Sequence, residues 1–97
     1  MAKLKPIHPG EILAEEFMKP RGLTAGRLAL DLRVPANRLS EIIRGRRSIS
    51  ADTALRLGRY FGTSAEMWMG LQVEYDLRKA KHDIGKQVER EVHIAVG

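Results

Sequence analysis

Two side-chain chemistries stand out in the 97-residue sequence: an amide near the start of a short apolar-periodic run, and guanidinium groups just past its end. In Ala36-Asn37-Arg38-Leu39-Ser40-Glu41-Ile42-Ile43 the spacing places Asn37 in the first turn of a helix, and Arg44, Arg46 and Arg47 follow the run. A carboxamide can pair bidentately with adenine in the major groove, while guanidinium groups match phosphate oxygens. That is the chemistry of recognition. The competing account is an ordinary surface helix with a solvated charge run, and the pattern around it weighs against this.

Bond-making chemistry finds little support. His8, His82 and His93 are far apart, cysteine is absent, and there is no HExxH spacing. His8 with Glu11 and Glu15 is a conceivable metal set, yet acids in a first helical turn already have a dipole explanation. Ser40 and Glu41 have no basic triad partner, and no glycine-rich phosphate cradle follows a strand. Neither enzyme activity, a cofactor nor a metal is expected. Trp68, flanked by Met67 and Met69, reads as packing in preference to a ligand stripe.

The elements that must position Asn37 and the arginines lie between Thr24 and Arg47. Leu28, Ala29 and Leu32 recur at helical spacing behind Thr24, a cap for the first orphan N–H groups. Leu23, just before that cap, can pack back on Leu28. Arg33-Val34-Pro35 ends this run, and Pro35 is expected to open the next helix. There Leu39, Ile42 and Ile43 form the buried stripe, and Gly45 supplies a left-handed end. Two helices this short need covering neighbours.

The chain offers them. Residues 1–9 are expected to be an arm extended by Pro6 and Pro9, after which Gly10 opens a helix with Ile12, Leu13, Phe17 and Met18 inward. Ser50 caps a helix whose inward set is Ala54, Leu55, Leu57, Gly58 and Phe61, with Gly58 marking a close helix contact. Thr63-Ser64-Ala65-Glu66 has capping-box spacing and starts a fifth helix carrying Met67, Trp68, Leu71, Tyr75 and Leu77. The expected core is Leu13, Phe17, Leu28, Leu39, Ile42, Leu55, Phe61 and Trp68. From Ala80 the pattern fits either a helix (Ile84, Val88, Val92) or a short strand (Val92, Ile94, Val96). The expected architecture is all-α: a five-helix unit over residues 10–80 and a C-terminal extension over 81–97.

Charge sharpens the partner class. Lys and Arg number 17 against 12 acids, and the whole excess of +5 lies in residues 1–50. A polyanion therefore suits the N-terminal half. No apolar run approaches the roughly 20 residues needed to cross a bilayer, and the absence of cysteine fits a reducing compartment, so a cytoplasmic protein without membrane contact is expected. Tyr75, Leu77, Ile84, Val88 and Val92 lack an obvious place in the five-helix core, and a second copy is an economical cover for them.

The span from His8 to about Lys79 resembles the HigA group of antitoxins, within the Xre and lambda-repressor-like helix–turn–helix superfamily, with looser similarity to Val92. Three motifs carry the resemblance together: His8-Pro9-Gly10-Glu11, the L-x-E-I-I-x-G-x-R-x-I-S run ending at Ser50, and Trp68-Met69-Gly70-Leu71. It implies a protein that neutralises a RelE-like, ribosome-dependent mRNA interferase called HigB and represses the shared operon as a dimer on palindromic operator DNA. By the same resemblance Ala36, Asn37 and Glu41 match base-facing positions, and Arg44, Arg46 and Arg47 match a phosphate-contacting loop. Thr24, Arg27, Arg38 and Ser40 complete the candidate phosphate or flanking contacts. Many relatives carry Ser or Thr where Pro35 stands, and proline offers neither a hydroxyl nor an N–H to a phosphate. Glu41 is unfavourable near phosphates unless it accepts from cytosine N4. The alternative is a phage-type or chromosomal transcriptional regulator without a toxin partner; more remote are an interaction module with a vestigial DNA helix and a metal enzyme built on His8.

Overall fold

A computed structural model describes residues 5–96; residues 1–4 of the expected arm, and residue 97, lie outside the described residues. Five helices follow one another, with no strand among the described residues: α1 (Pro9–Ile12), α2 (Ala25–Leu32), α3 (Ala36–Ile43), α4 (Ala51–Phe61) and α5 (Ala65–Glu91). This is the expected all-α, five-helix arrangement. α1 continues into a π-helical stretch, Leu13–Met18, and a 3₁₀ turn, Lys19–Arg21. At the end of that stretch Lys19 N–H donates to the Ala14 carbonyl, five residues back, and Leu13 and Met18 are both buried in the core.

Helix starts follow the hydroxyl caps. Thr24 Oγ1 accepts from Arg27 N–H at 3.1 Å, Ser50 Oγ from Thr53 N–H at 3.3 Å and Ser64 Oγ from Met67 N–H at 3.0 Å. Three boundaries differ from expectation. α1 starts at Pro9, not Gly10, because the His8 imidazole is the cap, its Nδ1 accepting from Gly10 N–H at 2.9 Å. α2 stops because Arg33 adopts a left-handed φ of 61°, so Pro35 does not end that helix; it only flanks α3 as its extended N-cap. Ser64, not Thr63, caps α5, leaving Thr63 Oγ1 to accept from Trp68 Nε1 at 2.9 Å.

The core gathers one face from every helix: Leu13 and Met18, then Leu28, Ala29 and Leu32, Leu39 and Ile42, Ile49, Ala54 and Leu57, with Trp68 fully buried at the centre. Phe17 and Phe61 are half-buried on its margin, their rings 5.1 Å apart, and Phe17 lies 4.9 Å from Trp68. Leu55 is a correction to the expected core, being 65% exposed. α4 turns Thr53, Ala54, Leu57 and Gly58 inward, and about 100° per residue carries Leu55 past that face. Gly58 does mark a close contact, since a Cβ there would sit 2.9 Å from Ala65 N at the start of α5.

The undecided tail resolves as helix. α5 runs through Gly85 to Glu91, and residues 93–96 carry no regular structure. At about 1.5 Å per residue its 27 residues span roughly 40 Å, so it projects from the body. The radius of gyration, 16.4 Å, accordingly exceeds the roughly 12–13 Å of a compact chain this long. Leu77, Ile84 and Val88 are about half-exposed on it. No helix among the described residues is long and apolar enough to cross a membrane.

Two features of the α1 start yield predictions. A Cβ on Gly10 would lie 1.7 Å from the Ile42 carbonyl oxygen and 2.6 Å from its carbon, both backbone atoms of α3. Gly10→Ala must push the two helices apart, and the expected loss is at the upper end of the about 1–3 kcal/mol typical of overpacking, or beyond it. Urea denaturation reads this, and a variant within about 0.5 kcal/mol of the parent would show that the helices separate freely. His8 is the second feature. Burial lowers its pKa below the ordinary 6.5, against the opposing pull of Asp76 and of a hydrogen bond with the Arg47 backbone. A folded pKa below the unfolded one means the unfolded chain takes up the proton first, so stability should fall as pH drops below 6.5 toward the folded value. His8→Asn keeps a cap acceptor and should flatten this dependence between about pH 7.5 and about pH 5.5, whereas parallel slopes would clear His8 of it.

Candidate nucleic-acid interface

α3 is divided lengthwise. Leu39 and Ile42 are completely buried, while Ala36 and Asn37 stand exposed at its start. Arg38, Ser40 and Glu41 are half-buried on its flanks. The Ser40 hydroxyl donates back to the Asn37 backbone carbonyl at 3.2 Å, a local bond that does not engage the side chain of the exposed Asn37.

The loop after α3 is held at both ends. Gly45, at φ 74°, lets the chain reverse so that Gly45 N–H reaches the Ile42 carbonyl at 3.0 Å and Arg46 N–H the Glu41 carbonyl at 2.8 Å. Farther on, Ile49 is buried and its N–H donates to Gln72 Oε1 at 2.8 Å, while Gln72 Nε2 donates to Asp76 at 2.9 Å. Gln72 is itself 3% exposed, so both halves of its amide are satisfied inside the protein. Between these anchors Arg44, Arg46, Arg47 and Ser48 are exposed on a loop whose path is fixed.

Electrostatics separates the candidate cations. Arg47 Nη2 lies 2.6 Å from Glu41 Oε1, so the loop neutralises the carboxylate on α3. Arg38 Nη1 lies 3.2 Å from Asp52, which also receives Arg56 Nε at 2.9 Å. The bond from Arg56 first, and the Arg56 and Arg38 charges with it, hold the Asp52 carboxyl below its usual range. Arg27 pairs with Asp31 at 3.3 Å, and the Tyr60 hydroxyl donates to the same carboxylate at 2.8 Å, raising the Tyr60 pKa. Thr24 Oγ1 accepts the α2 cap bond, which leaves its O–H as a donor. Arg44 and Arg46 have no ion-pair partner among the described residues.

The structure regroups the expected set. Arg38 and Arg47 meet beside Ser48 and Ser50 in one open cleft at the start of α4, with Asp52 in its wall. Arg44 instead lines a separate cleft with His8, Glu11, Glu15 and Tyr75, so the three loop arginines do not act from one place. Tyr75 packs edge-on against His8 at 4.8 Å within its own chain. Two residues were not anticipated. Gln72 sits four residues after Trp68 and so on its buried face, a signal present in the periodicity; Asp52, an acid in the first turn of α4, carries no such signal.

Comparison with known proteins places this arrangement. A helix–turn–helix family model matches residues 15–68, more than half of the chain. Virulence-associated protein I of Dichelobacter nodosus is 53% identical over 81 residues, covering 84% of this chain and 75% of its own length. An addiction-module antidote protein of the HigA family from Coxiella burnetii superposes with a TM-score of 0.89 at 49% identity, over 95% of this chain and all of that one. The Pseudomonas aeruginosa antitoxin HigA, solved with the higBA promoter, gives 0.91 at 49% identity, over 94% and 99%. Such identity over nearly the full length makes the chain a member of the HigA family of antitoxins, non-catalytic proteins on a lambda-repressor-like helix–turn–helix fold.

Proposed function

We propose that the chain is the antitoxin of a toxin–antitoxin module: a homodimer that binds palindromic operator DNA in the major groove, represses its own operon and neutralises a RelE-like mRNA interferase of the HigB type. The carrying observation is α3, anchored by Leu39 and Ile42 yet bare at Ala36 and Asn37, and followed by a pinned loop of exposed arginines. A relative solved with promoter DNA supports the DNA half of this reading.

In this assignment Ala36 and Asn37 read base edges, and Glu41 accepts from a base with its charge balanced by Arg47. Arg44, Arg46 and Arg47 hold phosphates, and Thr24, Arg27, Arg38 and Ser40 flank them, Arg38 with its guanidinium held at Asp52. Residues 10–80 form the DNA-binding unit, and residues 81–97 extend it toward a second copy through the stripe of Leu77, Ile84 and Val88. The arm over residues 1–9 then remains for the toxin, although its last residue, Pro9, belongs to α1.

Two variants separate base reading from phosphate holding. Asn37→Ala should cost about 1–3 kcal/mol on operator DNA and little on random duplex. Arg46→Ala should weaken both alike and lower the log–log salt slope by about 0.9. Titrations at several salt concentrations decide, and exchange of the two patterns would reverse the assignment. Co-expression with the neighbouring reading frame, followed by affinity capture and sedimentation, tests the partners. A dimer retaining a small basic toxin is expected; a dimer that binds operator but retains no neighbour would leave a regulator without a toxin, and a monomer would remove the dimer.

A further inference from the structure

Arg38 projects from α3 and is drawn sideways. Its Nη1 lies 3.2 Å from Asp52 Oδ1, near the start of α4. The same oxygen receives Arg56 Nε at 2.9 Å, and Arg56 Nη1 donates to the Leu32 carbonyl at the end of α2, also at 2.9 Å. One exposed carboxylate thus occupies a cation from α3 and another from α4, and through the second it closes onto α2. Arg38, Arg47 and Asp52 share the open cleft at the start of α4. A duplex phosphate entering that cleft and the Asp52 carboxylate are both anionic oxygen acceptors competing for the same N–H groups.

We infer that Asp52 is a specificity-determining residue of DNA binding: it serves as an internal stand-in for phosphate, withholding Arg38 and Arg56 from sequence-independent attraction. The inference rests on the DNA-binding reading above. Its logic is that discrimination is a ratio. A cation freed toward the backbone raises affinity fully for a random duplex, which can shift to meet it, and less for the operator, where base contacts fix how the cleft meets the backbone. The stray duplex therefore gains more from a freed arginine than the operator does, and it outnumbers the operator vastly. A protein with five surplus positive charges, all in its DNA-facing half, has more to gain from holding cations back than from adding another.

Asp52→Asn keeps the size of the side chain and, at an exposed site, should keep the fold; Asp52→Ser serves as the second variant, and thermal melting checks both. Each freed cation should raise random-duplex affinity roughly threefold to tenfold at ordinary salt and steepen the log–log slope by about 0.9. In an operator short enough to hold one dimer, affinity should rise less, because specific contacts already fix how that cleft meets the backbone, so the operator-to-random ratio should fall at least about threefold. The gain must also depend on Arg38: added to an Arg38→Met chain, Asp52→Asn should return under half of it, which separates release of a held arginine from mere loss of a negative charge. Unchanged random-duplex affinity and slope in a chain that still binds operator would overturn this role alone. A fall in operator affinity would overturn it too, making Asp52 a positioning residue. An unmodified chain that binds no duplex at all would overturn both this role and the reading beneath it.

Discussion

The start of α1 lies directly on the end of α3, with no room for a side chain between them. The Ile42 carbonyl accepts from Gly45 N–H on one side and touches residue 10 on the other, at a distance that only hydrogen atoms on Cα permit. His8 completes the joint: it caps α1 through Nδ1, lies against Gly45, and presents its ring edge to Tyr75 of α5. His8 and Gly10 thereby tie the first helix, the end of the recognition helix and the last helix together. The conformation of the basic loop depends on that joint, because the loop leaves α3 at the same carbonyl.

The far end of the loop is held by different means. Ile49 is an apolar anchor, and the Gln72 amide takes up its N–H inside the core. Leaving that N–H unpaired would cost about 1–3 kcal/mol, so the glutamine belongs to the site even though it cannot reach DNA. Charged groups then act on a path already set by packing. Their ion pairs are exposed and each contributes little to stability. What they change is the field that a duplex meets, since Glu41 and Asp52 decide which arginines remain available.

Residue types announced most of the scaffold. Thr24, Ser50 and the leucine spacings read correctly because capping and periodicity are local properties, settled within one turn. Leu55 misled because a leucine beside Ala54 looks inward until the helix phase is fixed by its neighbours. The T-x-x-E spacing points to Thr63 as the cap, yet Ser64 takes that place, because the buried indole N–H of Trp68 engages the threonine hydroxyl. The candidate interface was less readable. Asn37 and the loop arginines are visible as a motif, but the partners of Arg38 and Arg47 come from tertiary proximity: Asp52 is fourteen residues from Arg38, and nothing in either residue's own neighbourhood encodes that pairing.

In the proposed dimer α5 connects this interface to the second copy. Its first two turns are welded to the body through Trp68 and Gln72, yet from residue 76 to its end only Gly85 is not exposed. That distal segment holds exposed i, i+4 pairs, such as Lys79 with Asp83, and a glycine that costs about 1 kcal/mol relative to alanine. A lone helix of about fifteen residues with those features is marginal in water. Val73, Leu77, Ile84 and Val88 nevertheless fall within one narrow stripe at helical phase, which gives the segment something to bury. In the proposed dimer, covering that stripe stabilises the helix that presents it, so order in the tail and association become one equilibrium governed by protein concentration. The consequence reaches the DNA. In that proposed dimer the recognition helices must stand about 34 Å apart to read successive major grooves, and the angle at which the two α5 helices cross would set that distance. The same helix carries Gln72, the group that holds the basic loop, so in the proposed dimer the geometry of the subunit contact would be passed to the DNA-facing surface through one continuous element.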